Sequence, residues 1–277
     1  MKEQTLHYNF NLYKEIFTFV KGKSRKLAEI FFLAENKPGV LSKITKVLGD
    51  NKINILSGFL TVKPLEEHGY NFFFIDYTEV KDENELNRVI EEIKAIEGVL
   101  HVELKLSDTP GIIFDEITFP IVVRGKRMVP MSMEHFALAL KRLYDLFSDA
   151  AAVMIHEIGK AYGEDLAKWA LREFREFEFS KEQIIKIMAR YGKSAGWCKI
   201  SILEYNENEG KILFKIEDSF ECGAFKKARK PIGHFVRGVI AGFLSSLFEE
   251  PWFVREIKCI AKGDDVCIFH ANKKPFI

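Results

Sequence analysis

Cys259 and Cys267 are the residues whose type and spacing most directly imply chemistry. They flank Lys262-Gly263-Asp264-Asp265, a turn signal built from residues that tolerate positive φ, and each sits in an apolar run. The spacing predicts a β-hairpin centred on Gly263. In such a hairpin the two cysteines are equidistant from the turn and opposite each other on one face, close enough to share a ligand. Three chemistries fit the pair. One is a disulfide. Another is one edge of a zinc site, with two more ligands from elsewhere. The third is a pair of free buried thiols acting as small hydrophobes. The N-terminal residues show no signal-peptide pattern and no apolar run is long enough to span a membrane, so a cytoplasmic, reducing setting is expected. That setting disfavours a structural disulfide.

These residues need a scaffold. A chain of 277 residues is about right for two domains, and 47% hydrophobic with 29% charged residues describes a globular chain. The net charge of +1 supplies no global field for nucleic acid. The 25 Phe residues point to large cores or an apolar cavity. Gln is confined to Gln4 and Gln183 while Lys and Glu are abundant, a bias resembling that of proteins from hot environments.

Taken in order, Phe10, Leu12, Ile16, Phe17 and Val20 have the spacing of a short amphipathic helix ended by Gly22, an N-terminal arm over residues 1–26. From Leu27 the pattern sharpens. Ile30 to Leu33 reads as a strand, Asn36-Lys37-Pro38-Gly39 as a turn, and Leu41, Ile44, Val47 and Leu48 as a helix face. Strands are expected at Ile53 to Val62, Tyr70 to Thr78 and Val99 to Leu106, with a helix at Asn84 to Ile96. The order is βαββαβ, a ferredoxin-like unit. Asp108-Thr109-Pro110-Gly111 reads as a boundary, with short strands following in 112–123. Helices are then expected from Ser132 onward, through Leu166 to Phe174 and Lys181 to Tyr191, with His135 and His156 read as packed or solvent-facing residues. Strands follow at Trp197 to Tyr205 and Lys211 to Glu217. Lys226 to Lys230 reads as a solvated basic loop. Ile232 to Phe248 is an apolar helix with His234, Gly238 and Gly242 along one ridge. Those glycines either let another backbone approach or leave room for a ligand.

Glu35-Asn36-Lys37-Pro38-Gly39-Val40-Leu41, Asn51-Lys52-Ile53-Asn54-Ile55 and Gly98-Val99 lie within residues 27–107, and on them this stretch resembles the ACT domain family. The resemblance implies a regulatory module that pairs side by side to give a homodimer, and an amino-acid site at Asn36, Gly39, Val40 and Leu41. Backbone N–H groups at a helix start suit a carboxylate there.

Gly196-Trp197, His234-Phe235-Val236-Arg237-Gly238, Ala241-Gly242, Glu256-Ile257-Lys258-Cys259, Gly263-Asp264 and Cys267-Ile268-Phe269 lie in the second domain, read as residues 108–277, and on them residues 112–277 resemble the 4-vinyl reductase domain family. The resemblance implies an α/β fold with a helical layer on an antiparallel sheet, so that the chain as a whole is α+β. It is similar to sensor domains of phenol-responsive activators, which hold a small aromatic ligand beside a structural zinc. Carried over residue by residue, the zinc ligands fall on His234, Glu256, Cys259 and Cys267, with His at a position where the sensors have Cys. Glu256 and Cys259 are three apart and face opposite ways in a regular strand, so Glu256 joins only through a bend or bulge; otherwise Cys222 or His270 supplies the last ligand.

The expected function is a non-catalytic sensor with an apolar or aromatic ligand near Trp197, Gly238 and Gly242, and no direct contact with nucleic acid or membrane. An alternative is a lipid-holding assembly protein. Another is a vinyl-group reductase, against which stands the lack of a Gly-rich dinucleotide loop after a strand and of an evident nucleophile–base pair.

Overall fold

The computed structural model describes residues 15–62, 66–123, 125–225 and 227–276. It divides into two compact units, 1–129 and 130–277.

The first unit begins with β1 (Phe19–Lys21) and β2 (Leu27–Glu35). Then come α1 (Val40–Asp50), β3 (Asn54–Thr61), β4 (His68–Asp76), α2 (Glu83–Lys94) and β5 (Val99–Leu106). The sheet order β3-β4-β2-β5, antiparallel throughout, is the ferredoxin-like arrangement expected. Helix α2 forms where the period predicts it: Leu86, Val89, Ile90 and Ile93 are buried, and Asp82 caps the start by accepting the Glu85 N–H at 2.9 Å. Both helices pack their apolar stripes on one face of the sheet, around Ile30, Phe32 and Ile75.

The other face explains two departures from the sequence reading. Val20 lies in a strand rather than a helix, because β1 pairs with β6 (Ile112–Phe114). Phe10 and Leu12 lie outside the described residues. Val20, Ile113 and Ile117 cover Leu27, Phe72 and Phe74 on that face. Residues 108–129, including the small hairpin of β7 (Val122–Val123) and β8 (Lys126–Arg127), therefore group with the first unit rather than the second. A sheet with apolar residues on both faces needs two covering layers, and the chain after β5 supplies part of the second. Glu29 is fully buried on this face, where its carboxylate accepts the Glu116 N–H at 3.1 Å.

The second unit opens with α3 (Met133–Phe147) and α4 (Asp149–Glu173), then α5 (Lys181–Ser194). The strands β9 (Lys199–Asn206) and β10 (Lys211–Glu217) follow, then the short α6 (Phe220–Gly223) and α7 (His234–Phe248). The chain ends on β11 (Phe253–Lys258) and β12 (Cys267–Asn272), completing an antiparallel sheet of order β11-β12-β10-β9. The core is one cluster in which Val236, Phe243, Leu244 and Leu247 of α7 meet Ile212, Phe214 and Phe269 of the sheet.

Helix α4 crosses α7 at very short range. A Cβ built on Gly238 would lie 2.1 Å from the His156 carbonyl oxygen, and one on Gly242 2.0 Å from that of Lys160. Gly159 and Gly163 meet the carbonyls of Phe235 and Val239 in the same way, at 2.2 Å each. Small residues on both helices let the backbones touch. The ridge of Gly238 and Gly242 is thus filled by α4, which corrects the expectation that those two glycines line a ligand site.

Candidate metal centre and aromatic cluster

Four acidic side chains converge where α6, β11 and β12 meet. Sγ of Cys222, a carboxylate oxygen of Glu256, and Sγ of Cys259 and Cys267 all lie within 4.8 Å of one another. The three cysteines are fully buried and Glu256 nearly so. Cys259 and Cys267 meet much as the hairpin reading requires. The last paired residues are Lys258 and Ile268, so the cysteines are the next position on each side. The connection is wider than a tight turn: a 3-10 turn at Ile260–Lys262 leads to Gly263 at φ 104°. Asp264 fixes its base by accepting the Cys259 N–H at 2.8 Å.

Glu256 reaches the group through a bulge. The register between β11 and β12 shifts between Glu256 and Lys258, which cancels the alternation that would otherwise turn Glu256 away from Cys259. One carboxylate oxygen lies 3.5 Å from Cys222 Sγ, and the other accepts the Gly233 N–H at 2.8 Å. Cys222 is delivered by α6, whose start is capped by Ser219.

His234 does not take the place given to it from the resemblance. It opens α7 with its ring 5.5 Å from that of Tyr144, and Cys222 occupies the fourth position instead. His270 is also outside the group; it pairs across the sheet with Arg255 and Leu213, its ring against Phe276.

The electrostatics fit a cation. Hydrogen bonds from the Cys222 and Cys267 thiols hold Cys259 far below the ordinary thiol range. Cys222 is pushed far up by its bonds to Cys259 and Cys267, by burial and by Glu256. For Cys267 the bond from Cys222 pulls down, but the bond to Cys259 and burial prevail and raise it. Burial, with the Cys259 charge next, raises Glu256 to about 8. Four acids thus share room for little more than one negative charge. A divalent cation inverts that balance by stabilising every deprotonated ligand at once. Three thiolates and a carboxylate are donors that suit zinc, and a set of four protein ligands is of the structural kind.

Next to this group lies an aromatic cluster. Trp197 stacks on Phe235 with centroids 5.9 Å apart, and Tyr162 packs 5.2 Å from Trp197. Phe220 packs edge-on against both Trp197 and Phe235, and Phe136 closes the set against Phe220 and Phe235. Phe220 and Phe235 belong to the elements that carry the centre: Phe220 is two residues before Cys222, and Phe235 two after Gly233, which donates to Glu256. Buried Glu221 ties the two elements together by accepting the N–H groups of Phe235 at 2.9 Å and Val236 at 3.2 Å in the first turn of α7.

In the first unit, Gly39 precedes α1 at φ 93°, with no side-chain cap on the helix start. Asn36 is exposed, and its N–H donates to the Glu67 carbonyl at 2.7 Å. The Val40 and Leu41 side chains pack into the core, which leaves backbone N–H groups as what this turn can offer a ligand.

Family models match both units, one for the ACT domain over residues 28–98 and one for the 4-vinyl reductase domain over residues 212–273. The chain carries an ACT domain and a 4-vinyl reductase domain. The uncharacterized protein MJ1460 of Methanocaldococcus jannaschii is 25% identical over 158 residues, covering 55% of this chain and 85% of that protein. Among solved structures, the phenol-responsive sensory domain of the transcription activator PoxR with phenol is 21% identical with a TM-score of 0.48, covering 54% of this chain and 78% of that one. The ACT domain of a GTP pyrophosphokinase of Chlorobium tepidum is 26% identical with a TM-score of 0.25, covering 29% of this chain and 97% of that one. Within the 4-vinyl reductase match lie all four members of the Cys–Glu group, while Trp197 and the α3–α4 pair precede it. Among the described residues no helix is long and apolar enough to cross a membrane.

Proposed function

We propose that this protein is a non-catalytic small-molecule sensor. Its 4-vinyl reductase domain takes an apolar or aromatic ligand into the Trp197 cluster, and its ACT domain pairs two chains, with the turn at Asn36, Gly39, Val40 and Leu41 open to an amino acid. Cys222, Glu256, Cys259 and Cys267 hold a structural zinc. The observation that carries this reading is the linkage of the aromatic cluster to the Cys–Glu group through α6 and the start of α7. Zinc fixes Cys222 and Glu256, and with them Phe220 and Phe235. A ligand that parts these rings acts on the first turn of α7, and it shifts the protein between two states by its differential affinity for them.

The experiment is a screen of small phenols and hydrocarbons by native mass spectrometry and tryptophan fluorescence, on protein purified without chelator. Saturable binding that Trp197→Ala removes, with zinc still bound, is the expected result. A broad screen without saturable binding contradicts the sensor reading. Turnover of a vinyl substrate with a nicotinamide or flavin donor replaces it with the reductase alternative.

A further inference from the structure

A groove lies outside the aromatic cluster. An open groove of about 760 Å³ runs along α4 and α7 beside the edge strand β11, and no ring of the Trp197 cluster lines it. The close contacts of Gly238 with His156 and of Gly242 with Lys160 show that α4 and α7 run in the same direction. Their groove-lining residues therefore line up by turn. His156 and Arg237 stand at one end, Lys160 and Ala241 in the middle, and Glu164 and Ser245 at the other. Trp252 donates its backbone N–H to Ser245 Oγ at 2.9 Å, which places the start of β11 at the Glu164 end. Arg255 and Phe276 also line the groove, with the guanidinium 5.4 Å above the Phe276 ring.

The His156–Arg237 end is short of partners. Arg237 is half-buried, and its guanidinium has neither ion pair nor hydrogen bond among the described residues. The acidic groups near it are the Tyr144 phenol, Glu221 and Glu256, and the two carboxylates are engaged with backbone N–H groups at the start of α7. Around it, His156 Nδ1, His234 Nδ1 and Tyr144 Oη are buried without a hydrogen-bond partner. A guanidinium carries five donors and cannot shed its charge, and buried charges and donors in proteins are ordinarily paired.

We infer that this groove binds a small organic monocarboxylate, with Arg237 gripping the carboxylate. Two parallel N–H···O bonds from a guanidinium match a carboxylate's planar fork. Ala241, Trp252 and Val254 give an apolar bed for the rest of the molecule. Glu164 and Glu249 at the far end repel a second negative charge placed there, so a dicarboxylate long enough to span the groove is disfavoured. The groove's lining includes none of the four Cys–Glu residues and no ring of the Trp197 cluster.

The test is calorimetry on the full chain purified without chelator, at fixed ionic strength, with benzoate and octanoate as probes and suberate, inorganic phosphate and phenol as comparisons. Saturable binding of a monocarboxylate is expected, with suberate and phosphate at least tenfold weaker. Arg237→Met should weaken the monocarboxylate at least tenfold while unfolding no earlier than the parent, because it removes an unpaired charge. Trp197→Ala should leave it unchanged. No saturation by either monocarboxylate up to millimolar concentration overturns the proposal, as does phosphate binding as tightly. A markedly earlier melt of Arg237→Met would make Arg237 a structural residue and overturn its role here.

Discussion

The crossing of α4 and α7 gives the sharpest quantitative prediction. Replacing Gly238 or Gly242 by Ala puts a methyl carbon 2.1 or 2.0 Å from a backbone carbonyl oxygen of α4. Carbon–oxygen contacts settle near roughly 3.3 Å, so the helices must part by about 1 Å. The obstacle is backbone within a helix and cannot swing aside. Forced overpacking of this kind costs about 1–3 kcal/mol and more where nothing yields, against a gain of about 1 kcal/mol from replacing Gly by Ala in a helix. Here the obstacle does not yield, so the cost lies at the top of that range or above it, and a net loss of about 2 kcal/mol or more is expected for each variant. For a unit of this size that lowers Tm by about 4–8 °C or more. Gly192→Ala is the control in the same unit: its Cβ would meet only the Ile200 side chain at 3.4 Å, an ordinary contact, and its stability should be unchanged or slightly raised. Differential scanning calorimetry with and without ligand reads all three. If Gly238→Ala and Gly242→Ala melt with the parent yet lose ligand, the glycines make room for a ligand and the crossing argument is refuted.

Three further outcomes are expected. Burial raises Glu29 to about 7, with Asp115 adding to it. The native ACT unit then binds more protons than the unfolded chain between about pH 4.5 and 7, so its stability falls as pH rises through that window. Glu29→Gln should remove this slope and be more stable at pH 8 by up to about 3 kcal/mol, with the difference gone at pH 4, in urea titrations of the first unit. Ser180→Ala breaks the capping box with Gln183 at the start of α5 and should cost about 1 kcal/mol in the second unit's transition. Chelation of a dimeric sample should loosen the 4-vinyl reductase domain and leave the ACT pairing intact, read by hydrogen exchange and by mass.

Much of the fold was legible because its signals are local. The βαββαβ order followed from alternation and from stripes such as Leu86, Val89, Ile90 and Ile93. Cys259 and Cys267 come together through their equal distances from Gly263, and Glu256 joins them through the bulge that its spacing from Cys259 requires. What failed was non-local. Val20 reads as helical until Ile113 arrives to pair with it. Gly238 and Gly242 favour neither a ligand nor a helix until Gly159 and Gly163 are seen facing them. His234 was carried over by position, but the first turn of α7 turns it toward Tyr144. Cys222 stood in the sequence as an alternative to Glu256, and joins it instead because α6 folds back over the hairpin. Its signal was chemical: three buried thiols and one acid are a complete set for zinc, and the histidine was one donor too many.

Metal content decides which residue is the fourth ligand. Native mass spectrometry of the parent, Cys222→Ser and His234→Ala, each purified without chelator and challenged with a graded zinc chelator, is the measurement. One zinc per chain in the parent and in His234→Ala, with Cys222→Ser surrendering its metal at least tenfold more readily, is the predicted result. Zinc held by Cys222→Ser and lost from His234→Ala, or no metal in the parent at all, would contradict the centre described.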